Sequence, residues 1–269
     1  MSAMSLPKAF QPFHQKESLA MKLVTFNIRY DCGLDGANNF SHRRELILET
    51  LRSEQPDIVC FQEVLPHVAA WLREALPEYY VVGCPRGEAL DDEQVCVAFR
   101  WADFALLKMD TWWLSPTPSV PGSRYETQSP CPRVCTELTL AAYPSRRVFR
   151  IINTHLDHES ALARTLSARQ ILSKIQGESF FPGVPTVLTG DMNALPDSEE
   201  IQLFSQEMRN ITANIGGTFH NFGREEPTQI DYIFTSADIR CKDVKKWTLC
   251  RNGVWLSDHY PVCAELEFE

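Results

Sequence analysis

The chain has 269 residues, enough to bury a large core as one α/β domain or two small ones, and its 44% hydrophobic, 23% charged composition excludes the disordered and fibrous classes. A formal net charge of −9 argues against a surface given over as a whole to nucleic acid, although a local basic groove stays open. No apolar run approaches the length of a membrane span.

Residues 1–20 hold scattered polar residues and no continuous apolar stretch, so they read as a flexible leader and not as a secretory signal. Patterned sequence begins at Met21, and residues 21–269 read as a single domain. KLVTFNIRY (22–30) is β-rich, and Ser41 is placed to cap a helix through HRRELILETLRSE, with Leu46, Ile47, Thr50 and Leu51 on one side. Gln55-Pro56 ends that helix. DIVCFQEV (57–64) then returns as a continuous apolar strand, the pattern of a sheet buried on both faces. A second helix runs from Pro66 to about Leu76, on a stripe of Val68, Ala69, Leu72, Ala75 and Leu76.

Strand character follows at 79–83, 94–100, 104–114, 134–143 and 147–156, and such consecutive short runs favour antiparallel pairing. A helix over 159–175 carries Leu162, Leu166, Ile171, Leu172 and Ile175. VPTVLTGDMNA (184–194) is another apolar strand, followed by a short helix near 197–207 and strands at 229–236, about 241–250 and 260–269. Residues 115–132, with five prolines, and the Gly- and Asn-rich 213–228 read as long loops, which in compact domains are often functional. The mixture of βα units and hairpins predicts two packed sheets with helices outside. Trp112, Trp113 and Tyr125 fit a core role better than a stacking one.

Nine cysteines are dispersed along the chain, several inside apolar runs where a thiol behaves as a small core residue. Cys131 and Cys135 lack a second pair at zinc-site spacing, so no structural zinc is expected. Dispersed thiols favour a reducing compartment, and the chain reads as cytoplasmic.

Polar residues recur where apolar strands end: Asn27 after LVTF, Glu63 after IVCFQ, His155 after IINT, and Asp191 and Asn193 after TVLTG. The same holds for Asp231 before YIF and for Asp258 and His259 before YPV. Any one of these is an ordinary turn former or cap. Their repetition in six segments, with complementary chemistry, points to one site at the strand ends. Glu63, Asn27 and Asp258 offer oxygen ligands suited to Mg²⁺ or Mn²⁺. Asp191 can accept a proton from an attacking water, and His155, His259 and Asn193 can donate to phosphoryl oxygens, with Asp231 as a partner fixing His259. No GxSxG elbow, GxxxxGKS/T loop, HExxH pair or GxGxxG turn is present.

In order along the chain, TFNIR, DIVCFQEV, EQVCVAFR, NTHLDH, LTGDMNA, QIDYIF and SDHYPV resemble the endonuclease/exonuclease/phosphatase superfamily. That group includes pancreatic-type deoxyribonuclease, abasic-site endonucleases, sphingomyelinases, inositol-polyphosphate phosphatases and mRNA deadenylases. The matching segments run from about residue 23 to 263. The resemblance implies a four-layer α/β sandwich, two central mixed sheets packed face to face with helices outside and the site at one rim. It also implies Glu63 as the principal metal ligand with Asn27 beside it, Asp191 and Asn193 as the water-activating pair, and Asp231–His259 at the scissile phosphate. Asp258 falls at a second metal position, and His155 matches the second catalytic histidine of the deoxyribonuclease branch, with Glu93 as its companion. Arg29, two residues after Asn27, and Arg133, beside the proline-rich loop, are candidate phosphate contacts. The implied activity is divalent-metal-dependent phosphoester hydrolysis by in-line water attack, on nucleic acid or on a small sugar, inositol or lipid phosphoester. A catalytically silent module keeping the fold is the alternative. The WWLSPTPSVPGSR and NTHLDH segments resemble a bacterial branch whose substrate is unsettled.

Overall fold

The apolar runs become the inner strands of two six-stranded sheets. The computed structural model describes residues 19–177 and 183–268, so residues 1–18 of the expected leader lie outside the described residues. In the first half, β1 (Leu19–Asn27), α1 (Phe40–Glu54), β2 (Ile58–Val64), α2 (Pro66–Ala75), β3 (Tyr79–Val82) and β4 (Gln94–Arg100) follow in order. Then come β5 (Phe104–Trp113), β6 (Val134–Ala142), β7 (Val148–His155), α3 (Ala161–Gln176), β8 (Thr186–Asp191) and α4 (Glu199–Glu207). The chain closes with β9 (Arg209–Asn210), β10 (Asp231–Thr235), β11 (Ile239–Lys246), β12 (Cys250–Arg251), β13 (Val254–Trp255) and β14 (Val262–Phe268).

Several boundaries differ from the sequence reading. β1 starts at Leu19, two residues inside the expected leader, because Leu19 pairs with Phe268 on β14. Ser41 lies within the first turn of α1, which starts at Phe40. Ser160 caps α3, its Oγ accepting from the Ala163 N–H at 3.2 Å, and Leu162 turns to solvent while Ala163, Ala168, Ile171 and Leu172 are buried. The strand expected at 241–250 is divided into β11 and the small β12–β13 hairpin.

One sheet runs β11-β14-β1-β2-β4-β3 and the other β5-β6-β7-β8-β10-β9. Each has a single parallel pair at its centre, β1–β2 and β7–β8, flanked by antiparallel neighbours. The C-terminal ends of those four strands therefore lie at one rim, together with the starts of β4, β10 and β14.

Alternation along each strand assigns side chains to layers. Leu23, Ile58, Cys60, Val97 and Phe99 of the first sheet meet Leu138, Leu140, Phe149, Ile151 and Val187 of the second between the sheets. On the outer faces, Val24, Phe26 and Phe61 pack under Leu46, Ile47 and Leu72 of α1 and α2, and Ile152, Leu188 and Phe234 pack under Ile171 and Phe204 of α3 and α4. Full burial of each such side chain contributes about 1.5–3 kcal/mol before entropy is counted. The result is the four-layer α/β sandwich expected from the sequence. Trp112 and Trp113 belong to this core. Among the described residues no helix is long and apolar enough to cross a membrane.

Towards the rim the inter-sheet positions change from apolar to amide and hydroxyl. Gln62 donates to Asn153 Oδ1 (2.7 Å) and Thr25 Oγ1 (3.1 Å), and Asn153 donates to the carbonyls of Phe61 (2.8 Å) and Cys96 (2.9 Å). These bonds, between fully buried groups, tie the two sheets together directly beneath the polar rim.

Candidate active site

Close strand packing places the first pair of groups. A Cβ on Gly190 would lie 1.9 Å from the Thr154 carbonyl oxygen, so only glycine lets β8 draw against β7 and set Asp191 opposite His155. At the ends of the strands the backbone turns sharply: Arg29, Glu63 and Asn193 all have positive φ, at 59°, 62° and 47°. Non-glycine residues adopt that region under strain, and such strain gathers at functional sites.

Asp191 is the hub. Its Oδ1 accepts the Asn193 N–H (2.9 Å), its Oδ2 accepts from Asn27 Nδ2 (2.9 Å), and Oδ2 lies 3.4 Å from His155 Nε2 and 3.7 Å from His259 Nε2. Burial, then the charge of Asp231, pushes its carboxyl well above the usual range. His259 Nδ1 sits 2.8 Å from Asp231 Oδ2. Burial disfavours the imidazolium, but Asp231 outweighs it and raises the group to about 10, so His259 is charged at neutral pH with Nε2 towards the cleft. His155 is the opposite case. Burial, then Arg133 and Arg86, hold it well below the ordinary value, and its Nε2 accepts from Asn193 Nδ2 (2.9 Å), as a neutral ring can.

Glu63 accepts from Asn27 Nδ2 (2.9 Å) and from the Tyr30 N–H (2.8 Å). Asn27, expected as a metal ligand, is arranged differently. Its amide nitrogen bridges Glu63 and Asp191, and its oxygen accepts the Arg29 N–H (3.0 Å), so it holds the two carboxylates together. Asp258 stands apart, bonded to Ser257 (3.0 Å) and 3.6 Å from Arg29, which also pairs with Asp35 (3.2 Å). Glu93 does not meet His155 in a hydrogen bond. It pairs with Arg86 (3.0 Å), whose carbonyl is fixed by Trp113 Nε1 (2.6 Å), while His155 Nδ1 has no partner among the described residues.

Among the described residues two groups of potential ligands each have their ligand atoms within 4.8 Å of one another: Glu63, His155 and Asp191, and Asp191, Asp231 and His259. In the second, His259 Nδ1 and Asp231 Oδ2 are engaged with each other at 2.8 Å. The first combines two carboxylates with a neutral imidazole, and Glu63 takes its hydrogen bonds from an amide and a backbone N–H, with no cationic donor. Its carboxylates are the donors that suit a hard divalent cation.

Around these groups lies a cleft of about 460 Å³, whose cationic lining among the described residues includes Arg29, Arg86 and Arg133. Sequence reasoning missed Arg86, which lies in a polar loop with no periodicity. It also missed Arg43, fully buried behind the site, and the Gln62–Asn153 pair below it. Position offers a signal for the last two: both are amides inside otherwise apolar strands.

With this geometry in view, the chain's relatives become informative. The Endonuclease/Exonuclease/phosphatase family profile matches residues 24–259. A solved structure of an endonuclease/exonuclease/phosphatase from Bacteroides vulgatus is 30% identical, superposes with a TM-score of 0.88, and the match covers 93% of this chain and all of that one. A mannosyl-6-phosphatase from Bacteroides thetaiotaomicron is 26% identical at a TM-score of 0.83, over 91% of this chain and 99% of that one. The human Nocturnin catalytic domain shares the fold at 19% identity and a TM-score of 0.74, over 94% and 97% of the two chains. No curated protein sequence matches this chain. The family match over nearly all of the described chain, together with the acidic and imidazole groups gathered at its rim, shows that the chain belongs to the divalent-metal-dependent endonuclease/exonuclease/phosphatase family and is a phosphoesterase.

Proposed function

We propose that this enzyme hydrolyses a compact phosphoester by in-line attack of a water activated by Asp191, with Glu63 as the carboxylate that would hold Mg²⁺ or Mn²⁺. The observation that carries this reading is the convergence on Asp191 of Asn27, Asn193, His155 and the Asp231–His259 pair, all within 3.7 Å of its carboxylate or linked to it through one group. When bound, the cation supplies Lewis acidity and neutralises phosphoryl charge.

Asp191, its proton affinity raised by burial, takes the proton of the attacking water, and the Asn193 N–H fixes the carboxylate's orientation. As the water oxygen bonds to phosphorus, the ester P–O bond opposite it breaks. His259 donates through Nε2 to a phosphoryl oxygen, and Asp231 holds the ring's orientation and charge. Asn27 keeps Glu63 and Asp191 close despite their like charge. Asp258 and Arg29 form the opposite wall, where Arg29 contacts the substrate phosphate and Asp258 restrains it.

A cleft of about 460 Å³ has the size of small-molecule sites, and the net charge of −9 gives no general attraction to a duplex. The mannosyl-6-phosphatase among the similar structures supports the same reading. We take residues 21–269 as one catalytic domain, since β1 and β14, from its two ends, pair in one sheet. All nine cysteines are free, which supports a reducing, cytoplasmic setting.

The test is hydrolysis of p-nitrophenyl phosphate, bis-p-nitrophenyl phosphate, sugar phosphates, single-stranded and duplex DNA, and RNA, each with Mg²⁺, Mn²⁺ or a chelator. Turnover should appear on the small esters, vanish with chelator and return with metal. Metal-independent turnover, or a clear preference for nucleic acid, would contradict the proposal.

A further inference from the structure

Glu63 does not follow the alternation of its strand. Phe61 and Val64 both lie in the apolar layer under α1 and α2, although an odd spacing puts residues on opposite faces of a regular strand. The register explains this: Phe61 pairs with Cys96 and Val64 with Gln94, so Gln62 and Glu63 together face Val95 alone. The extra residue is a β-bulge, and Glu63 turns there at a φ of 62°. On the β1 side contact is kept, the Ile28 N–H donating to the Gln62 carbonyl (3.2 Å). Without the bulge Glu63 would share the face of Phe61 and bury its carboxylate in the apolar layer. With it the carboxylate reaches the rim, where Asn27 Nδ2 and the Tyr30 N–H meet it. A bulge interrupts the ladder, and the carbonyls beside it need other donors. Here three of them are met from the opposite sheet. Asn153 of β7 donates through Nδ2 to the carbonyls of Phe61 (2.8 Å) and Cys96 (2.9 Å), and Thr136 of β6 donates through Oγ1 to that of Val95 (2.6 Å). Asn153 and Thr136 are cross-strand neighbours, both fully buried. Asn153 Oδ1 in turn accepts from Nε2 of Gln62 (2.7 Å), within the bulge itself.

We propose that Asn153 is a positioning residue, which locks the β2 bulge from the opposite sheet and thereby aims Glu63 at the cation. The inference rests on the reading of Glu63 as the metal-holding carboxylate. Asn153 acts on Glu63 through the backbone: its two donated bonds fix β2 and β4 on either side of the bulge, and its oxygen fixes Gln62. Leucine at 153 fills a similar volume but donates nothing, so two buried carbonyls lose their partner. The β2–β4 ladder then gains by closing the bulge, and closing it shifts Glu63 off the rim, because one residue of register exchanges the two faces of a strand. Groups that orient a metal ligand from behind commonly carry about 10- to 100-fold of the metal affinity, and the same range is expected here.

The experiment measures calorimetric binding of Mn²⁺ and amide hydrogen exchange by mass spectrometry for the wild type, Asn153→Leu and Thr136→Val, well below their unfolding temperatures. Asn153→Leu should bind Mn²⁺ about 10- to 100-fold more weakly and exchange about tenfold faster in residues 58–64 and 94–97, with little change elsewhere. Thr136→Val frees one carbonyl in place of two and should shift both readings in the same direction by less. A merely structural Asn153 would lower the melting temperature and leave the Mn²⁺ affinity of the folded protein unchanged. That result would overturn the proposal, and so would exchange that is unaltered in those two segments or accelerated evenly along the chain. If Asn153→Leu does not fold, Asn153→Ser, too short to reach both carbonyls, carries the same expectations. If the wild type binds no Mn²⁺, the metal reading of Glu63 fails by itself, and the exchange of residues 58–64 and 94–97 still decides whether Asn153 locks the bulge.

Discussion

Arg43 and Arg133 are buried to nearly the same degree, at 0% and 3% exposure, but their nitrogens meet different surroundings. Arg43 donates to the carbonyls of Asn38 (2.7 Å), Ile28 (2.6 Å), Leu256 (2.8 Å) and Arg29 (3.0 Å). It thereby staples the turn after β1, which carries Arg29, to the segment that leads into Asp258 and His259. Arg133 keeps two nitrogens that have no hydrogen-bond partner among the described residues. Burial by itself therefore says little about an arginine's task. A guanidinium saturated by carbonyls is part of the frame, whereas one with enclosed, unpaired donors is a charge that its surroundings satisfy only in part.

The contrast breaks first at Arg43. Arg43→Met should lower the unfolding free energy by about 3–5 kcal/mol, since four carbonyls lose their donor and two loops their staple. Urea denaturation measures it, and a loss below about 1 kcal/mol would mean that the staple is ornamental. A smaller effect belongs to His220, in the same wall, whose N–H donates to the Asp258 carbonyl (2.9 Å) and whose ring stacks on Tyr260 at 3.9 Å. Its Nδ1 accepts the Gly223 N–H, and burial, then the charge of His259, lowers the ring to about 4. Between about 6.5 and 4 the unfolded chain binds the extra proton, so this contribution is complete above about 6.5 and is lost as the pH falls towards 4. His220→Phe should therefore lose less stability than the wild type between pH 7 and 4.5, by about 2 kcal/mol. Parallel pH curves would show that His220 is not held neutral. Smallest of all should be the stability change in Arg133→Met, within about 1 kcal/mol, because an apolar side chain replaces a charge that the protein does not fully compensate. A loss as large as that of Arg43→Met would erase the distinction between the two arginines.

Much of the layered fold was legible from the apolar runs at 57–64 and 184–194, whose continuity signals strands covered on both faces. Asp191, Asn193, His155, His259, Asp231 and Glu63 were legible because each ends or begins such a run. Asn27 was legible as a polar strand end but its orientation was not, since an amide offers a donor and an acceptor and only the neighbours decide which faces a carboxylate. Arg43 sits in HRRELILETLRSE, where charges on a helix default to solvent, and its carbonyl partners lie as far away as Leu256. The pairing of Glu93 with Arg86 joins two residues of an acidic, aperiodic loop that gives no pattern to read. The β12–β13 hairpin did have a signal. Asn252-Gly253, both at positive φ, is the dipeptide favoured in tight hairpin turns, and it lies just past the strand expected at about 241–250.

The central claim is that Asp191 activates water at a metal-dependent phosphoester site. It is tested most directly by measuring kcat of Asp191→Asn on p-nitrophenyl phosphate with saturating Mn²⁺, alongside its thermal unfolding. We expect kcat to fall by about 10²- to 10⁴-fold with the fold intact, since Asn fills the same space without accepting the proton. Near-normal turnover in a folded Asp191→Asn protein would contradict the account.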